Sequence, residues 1–418
     1  MSRLLFLELN EVNFEFVEHY ARAGKLPAFR ALMDKHGYAR TRSETVYEHI
    51  EPWIQWFTVH TGKPFDEHKV FRLGDGPQAG ALQIWEALAK AGRRVGAFSP
   101  MNAGNALADP AFFVPDPWTK TSVNAPGLMR AAYEAICQAV GDNAEGKITP
   151  RSAIRLALGL AAYANPAHGL QYSRLAALGL RSHWARAVFL DRFLADCFFR
   201  LWKRTRPDFA TLFLNGAAHL QHHYMFSSAA YKGPHRNPPW YLPAGTDPLL
   251  EIYRLYDSIV AEALAVEPGL RVMMATGLHQ DPVDEPVIYW RLRDHAGYLR
   301  ALGCEFERVE PRMSRDFLVV CRDGSSALEV QKTLLQKTMA DGQRLFDVDN
   351  RGESLFVTLS YPHDITDPAL RSQVAFVAIK NGRHNGIGYF LDTGSRAAPQ
   401  QEPIPLPELW QRMLAAAQ

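Results

Sequence analysis

The sequence predicts an α/β fold: a mostly parallel central sheet flanked by helices, with a helical insertion and a small α+β insert. Three observations carry this. Strand and helix signals alternate through the first part of the chain, which argues for parallel strands covered by helices on both faces. From about 122 to 206 every signal is helical. From about 287 to 361 the pattern changes to a compact mixture of strands and helices. Of 418 residues, 47% are hydrophobic and 22% charged, which supplies apolar material for a large core.

Leu4 to Leu9 reads as a buried first strand. Phe14 to Ala23 and Leu26 to Lys35 read as helices, the second with Pro27 early, where a fixed φ and a missing N–H are tolerated. Ile54 to His60 leads to Thr61-Gly62, a helix-end signal. Ala81 to Ala91 is amphipathic and closes at Gly92. Val95 to Phe98 is a strand, and Phe112 to Val114 another that stops at Pro115-Asp116-Pro117. After the helical stretch come a strong strand (Phe209 to Leu214), a helix (Leu249 to Val266) and a strand (Leu270 to Ala275). In the insert, Tyr298 to Leu302 ends a helix, Phe317 to Cys321 is a strand, Ser326 to Met339 a helix and Leu355 to Leu359 a strand. The sheet resumes at Val374 to Ile379. The tail from Ala397 is rich in Pro and Gln, then weakly helical. The expected division is a core of 1–121, 207–286 and 362–395, a helical insertion 122–206, an α+β insert 287–361 and a tail 396–418.

The formal net charge is +2, from 46 basic and 44 acidic residues, so nothing overall points to nucleic acid or an anionic membrane. A basic helical stretch from Arg151 to Arg186 is the local exception. Cys137, Cys197, Cys304 and Cys321 lie far apart with no Cys-x-x-Cys pair, and read as free thiols of a reducing compartment. The first ten residues turn polar too soon for a signal peptide. The most apolar helical run, Ala153 to Ala164, is too short to span a bilayer. The expectation is a soluble cytoplasmic protein without stable membrane insertion.

Chemistry concentrates at strand ends, where a rigid sheet holds exposed loops. Near the C-terminus, Phe376 to Ile379 leads into a polar loop holding His384 among Gly382, Gly386 and Gly388. After the first strand, Asn10, Glu11 and Asn13 can ligate a cation; Asn10 or Asn13 can equally cap the helix at Phe14. Glu48-His49-Ile50-Glu51-Pro52 opens a helix, a place for anions and nucleophiles, and Glu51-Pro52 is also good capping chemistry. Trp53 and Trp56 read as core. After Leu214 come His219, His222 and His223. His219 shares a helical face with either of the others, as zinc-binding pairs do, although a solvated polar turn has the same composition. His279, with Asp281, follows the strand ending at Ala275.

Taken in order, these sites resemble the alkaline phosphatase superfamily, in its type I phosphodiesterase/nucleotide pyrophosphatase branch. Trp56 to Gly62 resembles the family's segment after its nucleophile. Ile84 to Leu88 with Gly92 and Val95, Pro115-Asp116-Pro117, and Tyr253 to Ile259 with Asp257 fit as well. His222, His279 and His384 fall where the family has its metal-binding histidines. The resemblance covers most of 1–125, 205–280 and 370–395. It implies an alkaline-phosphatase-like core and hydrolysis (or transfer) of a phosphate or sulfate ester or diester. The substrate would be a small molecule or a glycan or lipid phosphoester, with no nucleic acid partner.

The chain departs from the pattern at every anionic position. Asn10, Ala218 and Leu278 stand where the family has aspartates, and Pro52 or Glu51 where it has a hydroxyl nucleophile. Two adjacent cations need anionic ligands, whereas histidines hold one ion well. The expectation is therefore one divalent ion, zinc or manganese, on His222, His279 and His384, or with His219, activating a water. Glu11, Glu48, Glu51 or Asp281 would supply a relocated ligand or general base; of these Glu51 and Glu11, with Asn10, are the expected catalytic residues. Arg72, Arg312 and Arg315 would grip an anionic group, although Arg72 can simply bridge Asp75 and Arg315 pair near Asp316. The alternative is a non-catalytic relative that binds an anionic ligand or partner.

Overall fold

A computed structural model describes residues 3–141, 149–312, 314–397 and 402–417. The chain forms two compact units. The larger comprises Met1–Cys137, Thr149–Pro282 and Gly382–Gln418; the smaller is built around Val283–Asn381.

Six strands of the larger unit precede the smaller one: β1 (Leu4–Leu9), β2 (Ala39–Arg42), β3 (Val95–Phe98), β4 (Phe112–Val114), β5 (Phe209–Leu214) and β6 (Arg271–Ala275). The chain leaves along β7 (His279–Leu292). The smaller unit adds β8 (Arg308–Pro311), β9 (Asp316–Val320), β10 (Phe346–Asn350) and β11 (Ser354–Leu359). The chain returns along β12 (Val374–Asn385), which pairs with β7, and then forms β13 (Ile387–Asp392) and β14 (Ile404–Pro405).

The main sheet has the order β14-β2-β13-β6-β1-β5-β3-β4. Its centre is parallel: β1 lies between β5 and β6, with Leu9 opposite Leu214 and Glu8 opposite Ala275. β1 and β5 are buried along their whole length, as strands covered on both faces must be. β13 runs antiparallel to both β6 and β2. This is the mostly parallel α/β sheet expected, with one difference. Val374 to Ile379 is not a strand of the main sheet; it starts β12, whose half-buried pattern suits the two-stranded pairing with β7. The strand that rejoins the main sheet is β13. His384 accordingly sits near the end of a strand rather than in a loop.

The helices of the larger unit are α1 (Phe14–Arg22), α2 (Pro27–His36), α3 (Pro52–Thr61), α4 (Phe65–His68), α5 (Ile84–Lys90), α6 (Gly127–Gly141), α7 (Pro150–Tyr163), α8 (Gly169–Gly179), α9 (His183–Thr205), α10 (Gly216–Tyr224) and α11 (Pro248–Ala265). The smaller unit has α12 (His295–Ala301), α13 (Gly324–Leu335) and α14 (Pro368–Gln373), and α15 (Glu408–Ala417) closes the chain on the larger unit. The described part of 122–206 is helical from α6 to α9; residues 142–148 lie outside the described residues, as do 398–401 of the Pro/Gln-rich tail.

One core of the larger unit gathers Trp56, Trp85, Phe6, Phe113 and Phe213 with Leu409 and Met413 of α15. The tail that reads as weakly helical is thus an integral helix, because its Leu409, Met413 and Ala416 recur on one buried stripe. The smaller unit has its own core around Trp290, Phe317, Phe346 and Leu355, on an antiparallel sheet of order β10-β11-β9-β8. Among the described residues no helix is long and apolar enough to cross a membrane.

Candidate metal centre

Because β6, β1 and β5 are parallel neighbours, their C-terminal ends stand side by side. Because β13 is antiparallel to β6, the residues just before it arrive at that same edge. Residues distant in sequence therefore meet where ligands of open α/β sheets bind.

After β1 the backbone turns at Glu11, which holds a left-handed conformation (φ 59°). Its N–H donates to the Thr276 carbonyl (3.0 Å), and its carbonyl accepts from Gln221 Nε2 (2.7 Å). These bonds offset the cost of a non-glycine residue in that region. Its buried carboxylate points into the edge. Oε1 accepts from Asn10 Nδ2 (3.1 Å), and Oε2 accepts from Gln280 Nε2. Oε2 also lies 3.4 Å from His222 Nε2 and 3.2 Å from His384 Nε2, and the two Nε2 atoms are 3.3 Å apart.

These three spacings can be compared with an ion's needs. A tetrahedral ion about 2.0–2.1 Å from each ligand spaces its ligands about 3.3–3.4 Å apart. The tautomers also suit ligation. His222 Nδ1 faces the Gly382 carbonyl (3.4 Å), which can only accept, so Nε2 is left with its lone pair. His384 Nδ1 faces Glu51 Oε2 at 3.6 Å. Burial opposes ionisation of Glu11, but His384 and His222 outweigh it and hold the carboxyl well below the usual carboxylate range. One carboxylate and two imidazoles fit one divalent ion with open positions. They do not fit two ions, for which the anionic ligands are missing.

A second cluster, His168, Asp196 and Glu262, has ligand-like spacing too. There the buried Arg192 already donates to Asp196 (2.8 Å) and Glu262 (2.7 Å), so the negative charge is balanced by a guanidinium. It reads as an ion-pair network tying α9 to α11.

The remaining expected residues separate. His279 does not join the group: Nδ1 meets the Ile387 carbonyl (2.5 Å) and Nε2 meets Asp281 Oδ1 (3.1 Å), so both nitrogens are engaged. The His279 contact in turn lowers the pKa of Asp281. His219 packs on the ring of His223, 5.2 Å between centroids. Burial drives its pKa down to about 4, with His222 and His183 adding to the effect. Asn10 is a positioning group, donating to Glu11 and Asn215 and accepting from Trp56 Nε1 (2.7 Å). Asn13 takes the capping role, accepting from the Glu15 N–H at the start of α1. Arg72 is exposed. Arg312 pairs with Glu310, and Arg315 stacks on Tyr289, both within the smaller unit.

Sequence reading passes over Gln221, Gln280 and Arg383. Gln221 accepts from the Asn13 N–H and from Tyr253 while holding the Glu11 carbonyl. Arg383 is exposed and precedes His384 directly in the chain. Only adjacency to His279 and His384 could have flagged Gln280 and Arg383.

No family model and no curated protein matches this chain. Among solved structures, it is similar to phosphonoacetate hydrolase from Sinorhizobium meliloti 1021 in complex with phosphonoacetate (13% identity, TM-score 0.47, covering 100% of this chain and 96% of that one). It is also similar to murine ectonucleotide pyrophosphatase/phosphodiesterase 5 (10%, 0.44, 99% and 95%) and to its human counterpart (11%, 0.41, 99% and 94%).

Proposed function

We propose that this chain is a metal-dependent hydrolase of a phosphate or sulfate ester, working with one divalent ion held by Glu11, His222 and His384. The observation that supports it most is the 3.2–3.4 Å spacing of those three ligand atoms at the C-terminal edge of the sheet. Zinc and manganese both accept this donor set. When bound, the ion supplies polarisation of an ester oxygen and a lowered pKa for water. The chain's own groups do the rest. Asn10 and Gln280 aim the Glu11 carboxylate. Glu51, about one-third exposed, steadies His384 and is the base on the solvent side able to take a proton from an entering water. Arg383 attracts the anionic ester. The four free thiols suit a cytoplasmic setting.

Elemental analysis of the untagged protein tests this. The expected result is about one zinc or manganese per chain, lost in Glu11→Gln and in the His222→Ala/His384→Ala double variant. Turnover of aryl phosphate, phosphodiester or sulfate substrates should disappear with chelator, and Arg383→Gln should raise KM more than it lowers kcat. A protein that takes up no ion even after reconstitution would sink the proposal. It would favour a non-catalytic anion-binding role, which the absence of a hydroxyl at Glu51-Pro52 already suits.

A further inference from the structure

The helical segment carries a feature that the metal site does not use. Between Thr149 and Leu190 there is no Asp or Glu, but there are five arginines: Arg151, Arg155, Arg174, Arg181 and Arg186. Arg155 and Arg174 reach outside the segment to Glu134 (2.7 Å) and Glu251 (2.8 Å). Arg151, Arg181 and Arg186 are exposed, with no carboxylate partner among the described residues.

The same segment exposes aliphatic side chains in an ordered way. α7 buries Ser152, Gly159 and Tyr163, with Gly159 against Ala132 of α6 and Phe193 of α9. Its opposite stripe carries Ile154 (62% exposed) and Leu158 (52%), in line with Arg151 and Ala161. α8 buries Leu175 and Gly179. Its outer stripe carries Leu170 (85% exposed) and Ala177 and ends at Leu180 (84%) beside Arg181. Single exposed leucines are ordinary. Four exposed branched aliphatics on consecutive helices, in a segment whose only formally charged side chains are arginines, give each of the two helices an amphipathic outer stripe.

What covers it follows from that charge. A second copy docked about a two-fold axis would set these arginines against themselves with no carboxylate from the segment to answer them. The surface also lacks the exposed aromatic anchors of a typical protein interface. An anionic bilayer surface satisfies both halves: the aliphatic side chains enter the headgroup boundary while the guanidinium groups meet lipid phosphates. We infer that α7 and α8 form a peripheral docking surface for anionic phospholipid membranes. Neither helix can span a bilayer, so the association is interfacial and reversible.

Vesicle co-sedimentation of the full chain tests this. Binding to phosphatidylcholine vesicles containing about one-third phosphatidylserine should exceed binding to pure phosphatidylcholine, and should fall as salt screens it. Arg151→Gln/Arg181→Gln should weaken it about 25-fold, and Leu170→Gln/Leu180→Gln about tenfold, with circular dichroism and melting temperature unchanged. Absence of binding to the anionic vesicles at low salt, or equal binding by both folded variants, overturns the inference. Retention on an acidic protein but not on vesicles would do so as well, and would make the face a protein-docking surface.

Discussion

Glu11 shows how much the candidate centre depends on single backbone choices. Its left-handed φ aims the carboxylate at His222 and His384, and Gln280 holds Oε2 from behind. Gly382 permits that arrangement by close approach: a Cβ there would stand 2.1 Å from Gln280 Oε1 and 3.0 Å from the Gln221 carbonyl oxygen. Gly382→Ala therefore has to push Gln280 away and disturb Glu11 while Glu11, His222 and His384 themselves are kept. The expected outcome is metal affinity weakened by about 10- to 100-fold, read by competition against a chromophoric chelator. Unchanged affinity would mean that Gln280 does not position Glu11. At this scale the sequence makes the histidines visible because three in five residues is unusual. It leaves Gln221 and Gln280 unremarked, since a glutamine acquires its role only from what it faces.

At the scale of elements, α10 is tied down at its N-terminus by α9. Asp191 accepts from the Gly216 N–H (2.7 Å) and from Tyr256 (2.6 Å), and a Cβ on residue 216 would lie 2.6 Å from the Asp191 oxygen. An anion at a helix start is favourable, yet burial dominates. It raises Asp191 from its ordinary 3.8 to about 6, with Tyr256 and the Gly216 and Asn215 N–H groups pulling the other way. The sign follows. The native state binds this proton more tightly than the unfolded chain. Its contribution is therefore complete below the unfolded pKa and is lost as pH rises from about 4 to about 6, levelling off above. The size is at most about 3 kcal/mol. Urea unfolding of wild type and Asp191→Asn should diverge by up to that amount between about pH 4 and pH 7, in the variant's favour. A difference constant with pH would exclude titration of Asp191 as the cause.

For the whole molecule, the decisive feature is that two units have separate cores. Phe317, fully buried, meets His295 and Phe346 edge-on in the smaller unit. Phe317→Ala should cost about 3–5 kcal/mol. Calorimetry should show the smaller unit's transition lowered while the metal content of the larger unit is kept. A single transition that moves as one, with metal lost in step, would show the two cores to be cooperative.

By itself the sequence determined the fold class. Leu4–Leu9, Phe209–Leu214 and Leu270–Ala275 are apolar enough to be buried strands in any packing, and the helices between them announce parallel neighbours. It also supplied His222 and His384, with Glu11 as one of several possible carboxylates. Only the tertiary structure decided which of these meet. The register of β1 between β5 and β6 and the antiparallel return of β13 bring Glu11, His222 and His384 within 3.2–3.4 Å. The carbonyl of Ile387 and the carboxylate of Asp281 engage both ring nitrogens of His279 and keep it out of the group. Periodicity and composition describe a residue's immediate neighbours in sequence. Ligand geometry is set by strand order and side-chain direction across hundreds of residues, and no local pattern encodes it.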